Sequence, residues 1–338
     1  MISNFMHVGR YPICSRFGVL KTEVNGINIR NNMRILKHMR KERSGLAFTT
    51  LELAKYEERL GHEVCIKEPQ GTIIHGRQPD VVDIHTIHSQ IDPATYHDNR
   101  PKILFCHGEA LSSVGNNVSM RAIVDLASIC DAFIAMRTEE WSHWRSIKRT
   151  YIVQKGIDLE VFRPLDGVTE KLSGEPAVLY YENIRGVRNP LFAILAMAEV
   201  HKKLPKARLH IYNCDKKSFA TFMPFIKHCK FETFVRSLNG PVQDVNLLLN
   251  RCDIVVSCLF PLYARSIEAF GAGKGLIAPG YREHAYPFPC QLSPESMASA
   301  ILSLWENYQQ INFRTWAQQY HDVAETVKQC EAIYRRYL

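Results

Sequence analysis

Residues Gly156–Pro176 read GIDLEVFRPLDGVTEKLSGEP, and this stretch divides the chain. It holds Pro164, Gly167, Gly174 and Pro176 among few apolar residues, the composition of a boundary and not of a core element. Strand-like and helix-like segments alternate on both sides of it. Before it, strands are predicted at Met33–Met39, Val64–Lys67, Val81–His85, Ile103–His107 and Ala132–Met136, with helices at Leu46–Leu60 and Val118–Ile129. After it come strands at Val178–Tyr181, Arg208–Asn213, Asp253–Ser257 and Gly275–Ala278. Helices accompany them at Pro190–Lys203, Val242–Asn250, Ser266–Ala272 and Pro294–Tyr308, and a closing helical run extends from about Phe313 to Tyr337.

This alternation is the signature of parallel sheets with helices on both faces. Two such units in succession predict an α/β chain of two facing Rossmann-like domains. The N-terminal domain would span residues 1–165, completed by residues from about 316 to 338, and the C-terminal domain residues 170–315. In doubly wound sheets ligands bind at the carboxyl ends of the strands, so the site is expected there.

Composition sets outer limits. The 338 residues exceed the usual size of a single core, and 46% hydrophobic with 22% charged residues is ordinary for a globular protein. The apolar stretch Ile254–Ala264 is broken by Ser257, Pro261 and Tyr263 and is too short to span a bilayer. Met1–Leu20 carries Arg10 and Arg16 where a signal peptide needs an apolar run, so a cytoplasmic protein is expected. Ten cysteines are scattered without a C-x-x-C pair. They read as free thiols, with Cys65, Cys106, Cys130 and Cys252 in apolar runs, and give no zinc pattern. The net charge is +8, concentrated at Arg30–Arg43, where Arg30, Arg34, Lys37, Arg40, Lys41 and Arg43 stand against Glu42. That stretch is either a solvated basic face or a contact for an anionic surface, phosphorylated substrate or nucleic acid.

Three segments carry a resemblance. Tyr151–Pro164, YIVQKGIDLEVFRP, is similar to the interdomain motif V-x-N-G-x-D-x-x-x-F-x-P of family-4 type retaining glycosyltransferases, through Gly156, Asp158, Phe162 and Pro164. Lys155 replaces the asparagine. Val178–Ile194, VLYYENIRGVRNPLFAI, resembles the family's V-G-R-x-x-x-x-K-N element, with Arg188 and Asn189 at the Lys-Asn position. The family's glycine and arginine are here Glu182 and Asn183, and Arg185 stands on the same loop. Ser266–Gly280, SIEAFGAGKGLIAPG, resembles the donor-binding E-A-x-A-x-G-x-x-x-I-A segment, with Glu268 as its glutamate. The first glutamate of the family's E-x7-E is replaced by Phe260.

The resemblance implies a GT-B fold and transfer of a sugar from a nucleotide-diphosphate sugar to an acceptor hydroxyl with retention. Glu268 would accept the ribose hydroxyls. Arg265, Asn183 and the backbone of Ser266 and Ile267 would complete the donor site, and Arg185 and Arg188 would neutralise the leaving diphosphate. In the N-terminal half, Ser44 and Gly45 sit where the family has its glycine-rich first loop, and Leu60–Val64 matches its L-x-x-x-G-H-E-V. His107 ends a strand where the family places a histidine at the donor sugar, with His85 and His88 as weaker candidates.

No D-x-D occurs, so no essential metal or other cofactor is expected. Gly271–Lys274 is not a P-loop, because Gly275 replaces the required Ser/Thr and the first glycine is missing. The acceptor is left open among a glycan, a lipid-linked or phosphorylated substrate and a modified DNA base. The departures at Phe260, Asn183 and Glu182 also allow a non-catalytic nucleotide-binding module, and an epimerase on the same fold is a third reading.

Overall fold

The computed structural model describes residues 32–39, 45–67, 80–85, 99–106, 127–136, 141–142, 144–182, 189–213, 219–239, 244–258, 264–279, 281 and 286–338. The chain forms two compact units, one of Ile157–Tyr320 and one ending at Gly156 but including His321–Leu338.

The unit that begins the chain is built on β1 (Arg34–Met39), α1 (Gly45–Arg59), β2 (Glu63–Lys67), β3 (Val81–His85), β4 (Lys102–Cys106), β5 (Ala132–Ala135) and β6 (Thr150–Ile152). All pairings are parallel, in the order β2-β1-β3-β4-β5-β6. Strand alternation divides the side chains between two cores. Ile35, Val81, Ile103, Phe105 and Ile134 face one way, together with Leu53 of α1 and Val327 from the end of the chain. Val82, Ile84, Leu104 and Phe133 face the other way, where Trp144 closes edge-on against Phe133 at 5.5 Å.

The second unit continues with β7 (Ala177–Tyr180), α2 (Leu191–Lys203), β8 (Arg208–Asn213), α3 (Met223–His228), β9 (Val235–Asn239), α4 (Val245–Asn250), β10 (Ile254–Val256), α5 (Ala264–Gly271), β11 (Gly275–Ile277), α6 (Pro294–Glu306) and α7 (Phe313–Tyr320). Its sheet is also all parallel, in the order β11-β10-β7-β8-β9. The strands β7, β10 and β11 are buried along their whole length, as parallel strands covered on both faces must be. Each buried Val, Leu or Ile contributes about 1.5–3 kcal/mol.

Three differences from the sequence reading have physical causes. The closing run is two helices, α7 and α8 (Val323–Tyr334). Between them His321 Nδ1–H donates to the Lys155 carbonyl at 3.0 Å, and the Asp322 carboxylate caps α8 by accepting from Ala324 N–H. Edge strands β6 and β9 were not predicted, being three residues long and polar (VRSLN) respectively. Finally, Cys65 is exposed while Cys106, Cys130 and Cys252 are buried; all described cysteines are free thiols. Most of the expected helix Val118–Ile129 lies outside the described residues, as do His88, Arg30, Arg40, Lys41 and Arg43.

Lys37 does not belong to a solvated basic face. It is fully buried, ion-paired to Asp83 and 3.0 Å from Glu57 of α1. Asp83 also accepts a hydrogen bond from the Tyr334 hydroxyl of α8 at 2.8 Å. Burial pulls the Lys37 ammonium down, but the Asp83 and Glu57 carboxylates outweigh it and hold it above its ordinary value. Burial pushes Glu57 up, Lys37 opposes it and Asp83 adds to it, leaving Glu57 at about 7. This polar cluster fastens the last helix to α1, β1 and β3.

The segment between the units explains its own motif. An added Cβ at Gly156 would lie 2.4 Å from Val323 Cα, so close approach to α8, and not a left-handed turn, demands glycine there. Asp158 is buried and its Oδ1 accepts from the backbone N–H of Glu160 and Val161 at 2.9 and 3.3 Å. Phe162 lies on Gly271, where a Cβ would come within 2.8 Å of the Phe162 Cβ. Arg314 of α7 completes the anchor by donating to the carbonyls of Leu159, Phe162 and Gly271 at 2.6–2.9 Å.

Candidate functional site at the carboxyl end of the second sheet

From β7 the chain proceeds outward through β8 to β9, then returns to the other side of β7 to form β10. The junction of β7 and β10 is therefore a topological switch point, where diverging connections leave a crevice beyond the strand ends. Tyr181 and Glu182 follow β7 there, and Ser257 and Cys258 follow β10.

Side chains from both strand ends meet across this junction. The Ser257 hydroxyl donates to Glu182 Oε1 at 2.5 Å, and both residues are buried. Cys258 is buried beside them; burial, with Glu182 adding, pushes its thiol up to about 12, so it stays protonated and unreactive. The Tyr181 hydroxyl donates to Glu268 Oε2 at 2.6 Å. The Tyr181 ring is itself buried and leans on Tyr212 of β8, centroid to centroid 6.4 Å.

The sequence of α5 fixes which of its residues meets that hydroxyl. Ser266, Ile267, Ala269 and Phe270 are buried, and Glu268 is the partly exposed residue among them. A charge-assisted hydrogen bond from Tyr181 holds its carboxylate in one orientation. An ionised carboxylate has about four acceptor positions, so one bonded to Tyr181 can still accept from vicinal hydroxyls. The first-turn N–H groups of α5, residues 264–267, have no partner within the helix, so its positive end is an anion site by construction. Just before α2, the Asn189 side chain accepts from the N–H of Leu191, the first residue of that helix, at 2.8 Å.

Glu268, Ser266 and Ile267 thus lie on α5, which follows β10, and Asn189 immediately precedes α2, which follows β7. Arg265 is on α5, with its side chain outside the described residues. Asn183, Arg185, Arg188, Phe260, Ser44 and His107 lie outside the described residues. Gly45 is the first residue of α1, and His85 ends β3. Tyr181 and the Glu182–Ser257 pair were not singled out from sequence as site residues. The signal for them is positional: they immediately follow the two strands that flank the switch point.

No protein-family model matches the sequence, and no curated protein sequence matches it. Solved structures do. A glycosyltransferase from Rickettsia africae aligns with a TM-score of 0.69 at 15% identity, covering 91% of this chain and 99% of that one. The Anabaena protein HepE, solved in complex with UDP and glucose, aligns with a TM-score of 0.66 at 15% identity over 91% of this chain and 100% of that one. The chain has the GT-B fold. An alpha-glucosyltransferase solved with UDP-glucose and DNA containing an abasic site shares it, with a TM-score of 0.61 at 13% identity over 90% of this chain and 100% of that one. At such identities the GT-B likeness concerns architecture; chemistry has to be argued from the side chains.

Proposed function

We propose that this chain is a glycosyltransferase that takes a UDP-sugar at the carboxyl end of the second unit's sheet and transfers the sugar to an acceptor hydroxyl with retention. The observation that carries the reading is Glu268, oriented by Tyr181 across the switch point at the exposed edge of α5. Glu268 accepts the two ribose hydroxyls. The backbone N–H groups of Ser266 and Ile267, the positive end of α5 and Arg265 take the diphosphate, and Asn183 is assigned to the same donor site. Arg185 and Arg188 follow β7 on the adjoining loop and neutralise the charge that develops on the departing diphosphate.

The choice of uridine rests on two neighbours of the same fold solved with UDP or UDP-glucose. In retaining transfer the acceptor attacks the face from which the nucleotide leaves. A phosphate oxygen of the leaving group then takes the acceptor proton, and no protein base is assigned. His107 contacts the donor sugar, and the loop at Ser44 and Gly45 in the first unit holds the acceptor. One neighbour is solved with both UDP-glucose and DNA, so duplex DNA with modified bases belongs in the acceptor panel beside glycans and lipid-linked acceptors.

Calorimetric titration with UDP, GDP, ADP and dTDP, followed by turnover of the matching sugar nucleotides, tests the assignment. UDP binding that Glu268→Ala abolishes, and turnover that Arg188→Ala abolishes while the protein stays folded, are the expected results. Wild-type behaviour of both variants would overturn the site. Tight binding without turnover on any acceptor would leave a nucleotide-binding module instead.

A further inference from the structure

We infer that the outer edge of the first unit's sheet, formed by β6 and the end of α8, is a docking surface for an anionic lipid bilayer. This surface is separate from the donor site and does not rest on the proposed activity.

Three arginines converge on the edge strand, each laid over an aromatic ring. Arg149 and Arg336 both stand 5.2 Å from the centroid of Tyr151, one from the residue preceding β6 and one from beyond α8. Arg145 stands 4.3 Å from the centroid of Trp141, whose indole N–H donates to the Thr150 carbonyl of β6 at 3.0 Å. The Tyr151 ring is fixed in turn by Tyr337, edge-on at 6.4 Å with the hydroxyls 3.3 Å apart. Among the described residues none of the three arginines has a carboxylate partner. The nearby acids are engaged elsewhere. Asp131 accepts from Lys102 N–H at 2.8 Å, and Glu331 pairs with Arg335 at 2.6 Å and lies 3.6 Å from His62.

A guanidinium laid over a ring still has five N–H donors, more than the ring can use, and Arg336, which also hydrogen-bonds the Tyr151 hydroxyl, keeps others that can engage phosphate oxygens. Among the described residues β6 pairs only with β5, at the end of the sheet. Ile152 on the edge strand is 51% exposed.

The mixture of residue types selects among polyanions. A bilayer interface offers phosphates to the arginines, a headgroup layer to Trp141 and Tyr151, and hydrocarbon to Ile152. A nucleic-acid backbone offers nothing to Ile152. Bases would need open ring faces to stack on, and here guanidinium groups cover the faces of Tyr151 and Trp141.

Sedimentation of the full chain with vesicles tests this. Vesicles of phosphatidylcholine with about one-third phosphatidylserine should retain it and pure phosphatidylcholine should not, with binding weakening as salt rises. Each interfacial arginine strengthens partitioning about five-fold, so Arg149→Ala with Arg336→Ala should lower it on the order of 20-fold. Ile152→Ser should weaken it at unchanged charge. Lys202→Ala with Lys206→Ala, which removes two exposed cations of the other unit, should leave it unchanged. Undiminished binding by both edge variants overturns the proposal. So does failure to bind the anionic vesicles at low salt, or preferential capture of a duplex or single-stranded oligonucleotide by the same edge. Ile152→Ser keeps the test decisive should the double arginine variant fold poorly.

Discussion

Replacing Glu57 by Gln should make the first unit less sensitive to alkali, and the size of the effect follows from its burial. Glu57 is fully enclosed against Lys37 and Asp83, so solvent screening does not reduce it. Its displacement from 4.5 to about 7 corresponds to about 3 kcal/mol. The sign follows from linkage. A carboxyl whose pKa is raised on folding contributes stability below its unfolded value, and that contribution is lost as pH rises through about 7. Glutamine keeps the shape and cannot ionise. Between about pH 4 and pH 8.5 the wild-type unit should therefore lose about 3 kcal/mol relative to Glu57→Gln.

His62 is displaced in the opposite sense. Burial holds its imidazole below the ordinary value, Glu331 opposing, so its contribution rises with pH, opposite in sign to that of Glu57. Both proteins keep His62, so the difference between them isolates Glu57. The measurement is amide exchange of β1 and α8 in the full chain across this range, corrected for intrinsic rates and paired with urea unfolding. Parallel curves for the two proteins, or a wild type that gains on the variant as pH rises, would refute the reasoning.

Three further outcomes follow from geometry. Tyr181→Phe removes one charge-assisted hydrogen bond, worth about 1.5–3 kcal/mol, and should weaken UDP binding by roughly 10- to 100-fold by calorimetry with little change in melting temperature. Gly156→Ala forces a methyl to within 2.4 Å of Val323 Cα; neither backbone can retreat cheaply, so a loss of about 2–3 kcal/mol in urea unfolding is expected, and a neutral result would show that α8 can shift. Arg314→Ala frees the carbonyls of Leu159, Phe162 and Gly271 and should cost about 2–4 kcal/mol, with increased exchange of α5 amides before any loss elsewhere in the unit.

The legible parts of the fold were those where burial leaves a compositional mark. AVLY and IVV are fully buried parallel strands and could hardly be anything else between turn signals. β6 and β9 bury less and sit at edges, so nothing in TYI or VRSLN distinguishes them from loops. β1 was recognisable as a strand, but the burial of its lysine was not, because Glu57 and Asp83 neutralise Lys37 from 20 and 46 residues away. The site divides in the same way. Glu268 was marked by its local segment, whereas its partner Tyr181 lies 87 residues earlier and becomes its neighbour only through the order of the strands.

The last helix has a consequence for synthesis. α8 covers a face of a sheet whose six strands all precede Gly156, and Tyr334 completes the cluster around Asp83. A ribosome must add about 180 further residues between the two, which at ordinary elongation rates takes roughly 10–35 s. During that interval the emerging sheet holds a lysine and two carboxylates without their lid, while residues of the second unit are still being made. The apolar face of Ile35, Val81, Ile103 and Phe105 also waits for α8, so truncations before α8 should be captured by chaperones even when every strand is present.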